Sequence, residues 1–304
     1  MTRRPQVSLL ADGRRLHLQD GPIDLICGAS GRPGDIRAAY AAAAAALDGL
    51  LDRLCAELPA LRHSAGPLAP PLRDPVARRM AAAVSPYASE TFITPMAAVA
   101  GAIAEAVLAA MDAAAELDRV YVNNGGDIAL RCDPGQHFAV GLIDRPDRPN
   151  VFGRACVGQG DGVGGIATSG WRGRSFSRGI ADSVTVLAST AAGADAAATV
   201  IANAVDLPGH PAVHRARACD LQEDSDLGDR LVTRGVKALS PADAADALAA
   251  GRLRALDLLR RSLIVGAALQ VQGRVAVVGA PRSLEGSKQA EPPAAYTREI
   301  AVHA

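Results

Sequence analysis

Asp195 and Thr199 stand four residues apart in Ala194-Asp195-Ala196-Ala197-Ala198-Thr199. On a helix that spacing puts both on one face. A carboxylate and a hydroxyl so placed suit a hard cation such as magnesium, with phosphate oxygens or water completing the shell. The plainer alternative is an acid that favours a helix start and a threonine that packs. A second constellation is Val122-Asn123-Asn124-Gly125-Gly126-Asp127. Two glycines directly after an apolar strand permit backbone conformations barred to other residues and the close approach of a ligand. Asn124 and Asp127 would offer donors and acceptors there. The same letters also describe an ordinary Asn-Gly hairpin turn.

Three further patterns carry less. Gly158 to Gly165 contains a formal G-x-G-x-x-G, but Ile166-Ala167-Thr168 follows it. A dinucleotide fingerprint needs a helix opening at that point, so a glycine loop is expected. His210 and His214 have i, i+4 spacing, yet Pro208, Gly209 and Pro211 argue against a helix across them. The acidic run Glu223 to Asp229 lacks the closing glutamate of a calcium loop and reads as solvated.

These residues need elements to hold them. Residues 7–27 read as two or three short strands with turns at Asp12-Gly13 and Asp20-Gly21. Residues 28–34 read as a loop, after which Asp35 caps one long helix to about Leu58. Five prolines make 59–75 an extended connection, followed by a short helix over 76–84. A helix over 95–117 starts at Thr94-Pro95. Strands are expected at 119–123, 127–132, 137–143, 166–168 and 183–188, with a loop over 144–165. A helix over 191–205 carries Asp195 and Thr199. Residues 206–240 read as loop-rich, followed by two helices separated near Gly251 and a hairpin over 263–278. Helices mixed with antiparallel strands make the class α+β, without regular βαβ alternation. One domain over 1–304 is expected, built from two interwoven subdomains, with 281–304 as a tail.

Composition narrows the function. Of 304 residues, 49% are hydrophobic, enough for a sizeable core. Lys+Arg and Asp+Glu are both 32, which argues against a nucleic-acid binder. With four Phe, four Tyr and one Trp, no broad stacking surface is available. The five cysteines show no C-x-x-C and read as reduced, mostly buried thiols. No apolar stretch of signal-peptide length follows Met1–Pro5, so a cytoplasmic protein is expected. The apolar run 92–111 is rich in Ala and Gly and holds Glu105, so a buried helix is expected there and not a membrane span. The alanine-rich helices suggest a homodimer.

Taken in order, the motifs are more specific than any one alone. They run Ala97-Ala98-Val99-Ala100-Gly101-Ala102-Ile103-Ala104, Asn123-Asn124-Gly125-Gly126-Asp127, Ala167-Thr168-Ser169-Gly170, Ser183-Val184-Thr185-Val186, and Ala194 to Thr199. The chain resembles the ApbE superfamily of FAD:protein FMN transferases. The likeness is closest to an uncharacterised cytoplasmic branch, which also shares Asp226-Leu227-Gly228-Asp229-Arg230-Leu231-Val232. That resemblance implies an ApbE-like, T-fold-like arrangement of mixed sheets packed with helices. It implies a cleft for FAD or FMN, lined by Asn124, Gly125, Gly126, Asp127, Thr168 and Ser169. It implies Mg2+ on Asp195 and Thr199, and a small-molecule or nucleotide ligand.

Two departures stand out. Where the transferases carry a lysine, this chain aligns Ala100, and the interval 171–183 contains no histidine. That interval instead holds Arg172, Arg174 and Arg178. Arg174 and Arg178 suit clamping of phosphate or carboxylate, against the alternative of a solvated basic turn. Trp171 and Phe176 are the rings placed to meet a planar ligand. A flavin-transferase-like enzyme, a flavin carrier without catalysis, and a hydrolase or lyase reusing the cleft all remain consistent with these residues.

Overall fold

The computed structural model describes residues 4–143, 151–279, 284–286 and 299–301. The proposed tail therefore lies largely outside the described residues. The chain forms two compact units, each assembled from separated segments. One comprises Met1–His137, Gly158–Ile166 and Thr190–Ala196; the other comprises Phe138–Val157, Ala167–Ser189 and Ala197–Ala304.

The first unit opens with a three-stranded antiparallel meander, β1 (Gln6–Leu9), β2 (Leu16–Asp20) and β3 (Ile23–Gly31). β2 alternates buried with half-buried residues, as a sheet with one packed face requires. β3 runs on through Gly28–Gly31, where a loop was expected, because β4 (Leu117–Asn124) supplies its ladder partners. Gly28 is needed there: a Cβ would lie 2.2 Å from the Tyr121 ring.

α1 (Pro33–Leu47) starts on Pro33 and not on Asp35, whose carboxylate pairs instead with Arg32. The expected long helix is broken at Gly49, which sits at φ 65°, into α1, α2 (Leu50–Ala56) and α3 (Leu58–Leu61). Asp74 caps α4 (Pro75–Val84) by accepting the Val76 and Ala77 N–H groups. A 3-10 turn, Pro95–Ala98, leads into α5 (Val99–Ala114). Pro95–Ala114 is long and apolar enough to cross a membrane by length and composition. Within the unit, however, Gly101, Ala102, Ile103, Ala104, Val107 and Met111 of α5 are buried. β5 (Asp127–Cys132) completes the meander, pairing antiparallel with β4.

In the second unit, β6 (His137–Ile143, its first residue belonging to the first unit) neighbours β7 (Val151–Gly158), part of which fills a region read as loop. Residues 144–150 lie outside the described set. β8 (Gly165–Ser169) is shared: Gly165 and Ile166 pair with β5 in the first unit, and the rest neighbours β9 (Ser183–Ala188). α6 (Ala191–Ala204) is divided in the same way. β10 (Val213–Arg217), α7 (Ala218–Leu221) and β11 (Leu231–Val236) occupy the segment read as loop-rich. β10 and β11 pair with each other antiparallel, so each is defined by its partner more than by its own letters.

α8 (Pro241–Arg260) is a single helix through Gly251. That glycine does not separate two helices. A Cβ there would fall 2.2 Å from Val205 and 2.9 Å from Leu269, so its absence lets the helix approach β12 (Gly266–Val271). β12 and β13 (Arg274–Val278) form the expected hairpin. All five cysteines are free; Cys27 and Cys132 are buried, Cys55 is exposed and the others are half-buried.

Candidate functional site

The Asn-Asn-Gly-Gly-Asp segment is a two-residue hairpin turn between β4 and β5, with Asn124 opposite Asp127. Gly125 and Gly126 lie at φ 63° and 113°, conformations that favour glycine. The Asn123 Oδ1 accepts the Gly126 N–H at 2.8 Å and tightens the turn. Asn124 Nδ2 donates to the Ala100 carbonyl at 3.1 Å. The asparagines are 8% and 7% exposed. The turn is thus tied to the first turn of α5.

Asp195 meets the same helix end. Its Oδ2 accepts the Gly101 N–H at 3.1 Å. Burial pushes the Asp195 carboxyl up to about 7, against the Gly101 and Ala100 N–H groups, which lower it. The exchange is reciprocal. Glu105 of α5 accepts the Ala192 N–H of α6 at 2.8 Å, and its other oxygen pairs with Arg79 at 2.9 Å. Each helix therefore satisfies an orphan N–H in the other's first turn. Two glycines make the approach possible. A Cβ on Gly101 would lie 2.3 Å from the Ala191 carbonyl oxygen, and one on Gly165 would lie 2.2 Å from the Ala191 Cα. Sequence reasoning missed Glu105 and Gly165 as members of this constellation. Glu105 was legible as the one acid in the apolar run 92–111, but its partner was not.

Thr199 lies one turn beyond Asp195 on α6, as the spacing requires. One carboxylate and one hydroxyl fall short of the six oxygens that magnesium demands. Among the described residues no group of three His, Cys, Asp or Glu side chains is placed to hold a metal. Ligand phosphates and water would have to supply the remainder.

Thr168, Ser169, Trp171, Arg174 and Arg178 belong to the second unit. Thr168 Oγ1 shares a 2.9 Å hydrogen bond with Thr185 Oγ1 of β9. The excursion from Gly170 to Asp182 is closed at its base by Trp171 N–H donating to Ala181 O at 3.0 Å. Gly170 fits because a Cβ would come 2.5 Å from Asp182 O. Arg172 is not available as a clamp. Its guanidinium stacks 4.2 Å from the centre of the Trp171 ring, and its Nε holds Asp182 at 2.7 Å. One face of Trp171 is therefore covered by the chain itself. Its indole Nε1, by contrast, is buried without a hydrogen-bond partner among the described residues. Arg174 is exposed and Arg178 half-buried.

The weaker patterns resolve as expected. β8 follows the glycine run, with no helix opening at Gly165. His210 sits 3.5 Å from Asp243, while His214 lies on β10.

A family model described as AbpE bacteria matches residues 7–277. A UPF0280 protein of Methanopyrus kandleri is 41% identical over 155 residues, which is 50% of this chain and 59% of that protein. A UPF0280 protein of Methanothrix thermoacetophila is 39% identical over 132 residues, 43% of this chain and 52% of that one. The matches thus span little more than half the length of these curated relatives. The crystal structure of the apo flavinyl transferase ApbE of Pseudomonas stutzeri superposes with a TM-score of 0.44 at 12% identity, covering 91% of this chain and 95% of that one.

Proposed function

The chain belongs to the AbpE bacteria family, and from that premise we propose that it binds a flavin nucleotide or a related small molecule bearing phosphate or carboxylate groups. The observation that carries the reading is the Trp171 indole N–H, buried and without an acceptor among the described residues. A buried donor left unpaired costs free energy that a ligand carbonyl would recover. The isoalloxazine ring offers such carbonyls beside a planar surface. Thr168, Ser169, Arg174 and Arg178 would contribute polar contacts in the same unit. FAD or FMN is the cofactor class this implies. Magnesium enters only with the ligand's phosphates, held by Asp195 and Thr199.

The departures at Ala100 and over 171–183 favour binding over flavin transfer to a protein hydroxyl. A hydrolase or lyase acting on a phosphate or acyl centre is the second reading. It rests on those same departures, since they leave polar groups but remove the transferases' lysine and histidine.

Thermal shift with FAD, FMN and riboflavin tests the proposal. A flavin raises the melting temperature, and Trp171→Phe weakens its binding about tenfold, the worth of one hydrogen bond to a buried donor. A protein indifferent to all three flavins would overturn the flavin reading.

A further inference from the structure

β1 is a terminal strand of its sheet, and among the described residues it pairs with β2 alone. All of its residues, Gln6, Val7, Ser8 and Leu9, are exposed. The ladder fixes where its remaining backbone groups point. Leu10 N–H donates to Arg15 O at 2.9 Å, so Leu10 and Arg15 form a hydrogen-bonded pair. In an antiparallel ladder such pairs alternate with non-bonded ones. Ser8–His17 and Gln6–Gln19 are therefore the bonded pairs within β1. The N–H and C=O groups of Val7 and Leu9 point away from β2.

The same two residues carry apolar side chains on the packed face. Val7 stands opposite Leu18, and Leu9 opposite Leu16. Those leucines are 0% and 5% exposed, whereas Val7 and Leu9 are 53% and 57% exposed. The packed face thus runs on into an uncovered apolar row at an open edge. Edge strands are commonly blunted by a charge, a proline or a bulge. Gln6-Val7-Ser8-Leu9 has none of these.

We propose that β1 is an interface between two copies of this chain, paired antiparallel about a two-fold axis at Ser8. That register sets Val7 against the partner's Leu9 and Leu9 against the partner's Val7. Each pair exchanges both of its N–H···O=C bonds, and the apolar side chains meet on one face. Other registers fail. An axis between two residues sets outward-pointing groups against inward-pointing ones. An axis at Val7 brings Leu9 to the partner's Pro5, which has no N–H. An axis at Leu9 brings Val7 to the partner's Ala11, which lies in the turn. The axis at Ser8 also carries the exposed Arg4 toward the partner's Asp12, of opposite charge. In this chain Asp12 stays 36% exposed while paired with Arg15. Such a contact closes on itself, as a two-fold interface requires. It places the dimer on a sheet edge and not on the alanine-rich helices. The pairing involves no ligand, so it stands or fails separately from the flavin reading.

Light scattering on the full chain and a cysteine cross-link test the interface. At roughly 100 μM the wild type has twice the chain mass. Leu9→Pro deletes an N–H that β2 does not use, and Val7→Arg sets a charge into the apolar row. Each weakens association by about tenfold or more, with an unchanged circular dichroism spectrum. Val277→Arg changes an exposed residue of another terminal strand, β13, and leaves the dimer intact. The cross-link keeps the test decisive should those variants misfold. Ser8 faces the partner's Ser8 in a non-hydrogen-bonded pair, with Cα atoms about 4.5 Å apart, a span that a disulfide bridges. Cys55→Ser first removes the exposed native thiol. In that background Ser8→Cys forms a covalent dimer under mild oxidation, and Gln6→Cys does not. A monomeric wild type, a dimer indifferent to Leu9→Pro and Val7→Arg, or equal cross-linking from positions 6 and 8 would each overturn the proposal.

Discussion

Gly101→Ala is expected to lower the melting temperature by roughly 6–15 °C, corresponding to about 3–5 kcal/mol. Alanine is the better helix former by about 1 kcal/mol, so intrinsic propensity predicts the opposite sign. The added Cβ, however, would meet three backbone atoms of α6: Ala191 O at 2.3 Å, Ala191 C at 2.5 Å and Ala192 N at 2.7 Å. No side chain there has a rotamer to give. Relief requires the helix starts to separate, which stretches both the Gly101–Asp195 and Ala192–Glu105 hydrogen bonds. Gly34→Ala is the control. It lies in α1, and its nearest neighbour to a new Cβ is the flexible end of Arg37 at 4.0 Å. That change leaves stability unchanged or raises it by up to about 1 kcal/mol. Equal melting temperatures for the two variants would remove the close approach of α5 and α6 from the account of this fold.

The second large effect is one of pH. In the folded chain the Asp195 carboxyl is pushed up to about 7, above its ordinary value of 3.8. Between those values the folded state holds a proton that the unfolded state has released. Its contribution to stability is complete below about 3.8 and is lost as pH rises to about 7, beyond which the loss is full. Asp195→Asn keeps an acceptor for the Gly101 N–H but does not titrate. The difference in melting temperature, variant minus wild type, therefore grows from pH 4 to pH 7 and then levels off. It reaches the order of a few kcal/mol in stability. Melting curves in magnesium-free buffer measure this, and a pH-independent difference would refute the carboxyl's burial as its cause. Asp12, which its hydrogen bonds hold down at about 2 far from Asp195 in sequence, titrates alike in both proteins and cancels.

These two residues also show what the α6 motif does locally. Ala194-Asp195-Ala196 reads as a metal-binding pattern by resemblance and as a helix-start acid by physics. In the structure it braces α5, and small alanines around the acid permit the contact. A ligand role for Asp195 would be added to that bracing, with phosphate oxygens completing any magnesium shell.

Much of the architecture was legible because it is encoded over short range. Alternation and Asp-Gly turns marked the β1–β3 meander. The Asn-Gly-Gly-Asp hairpin followed from glycines that accept positive φ. Thr94-Pro95 marked the 3-10 turn that leads into α5 at Val99, and the alanine-rich run 191–204 marked α6. Family membership followed from the order of motifs. β7, β10 and β11 were not legible, because a strand's identity depends on the chain that supplies its hydrogen bonds. Trp171's position in a short basic segment was visible, but Arg172 stacking on its ring and the unpaired indole N–H were not.

Glycine shows the boundary most plainly. Gly49 and Gly251 are both glycines inside helix-forming sequence. Gly49 takes a left-handed φ of 65° and ends α1. Gly251 stays helical inside α8, where Val205 and Leu269 fill the space a Cβ would need. Composition and local pattern determined the α+β class, the turns and the starts of α4, α6 and α8 to within a residue, because those depend on a residue and its near neighbours. Only the tertiary structure decided which glycines are breaks and which are contacts, and that Glu105 and Asp195 cap each other's helices. Such roles are defined by atoms about 90 residues away along the chain.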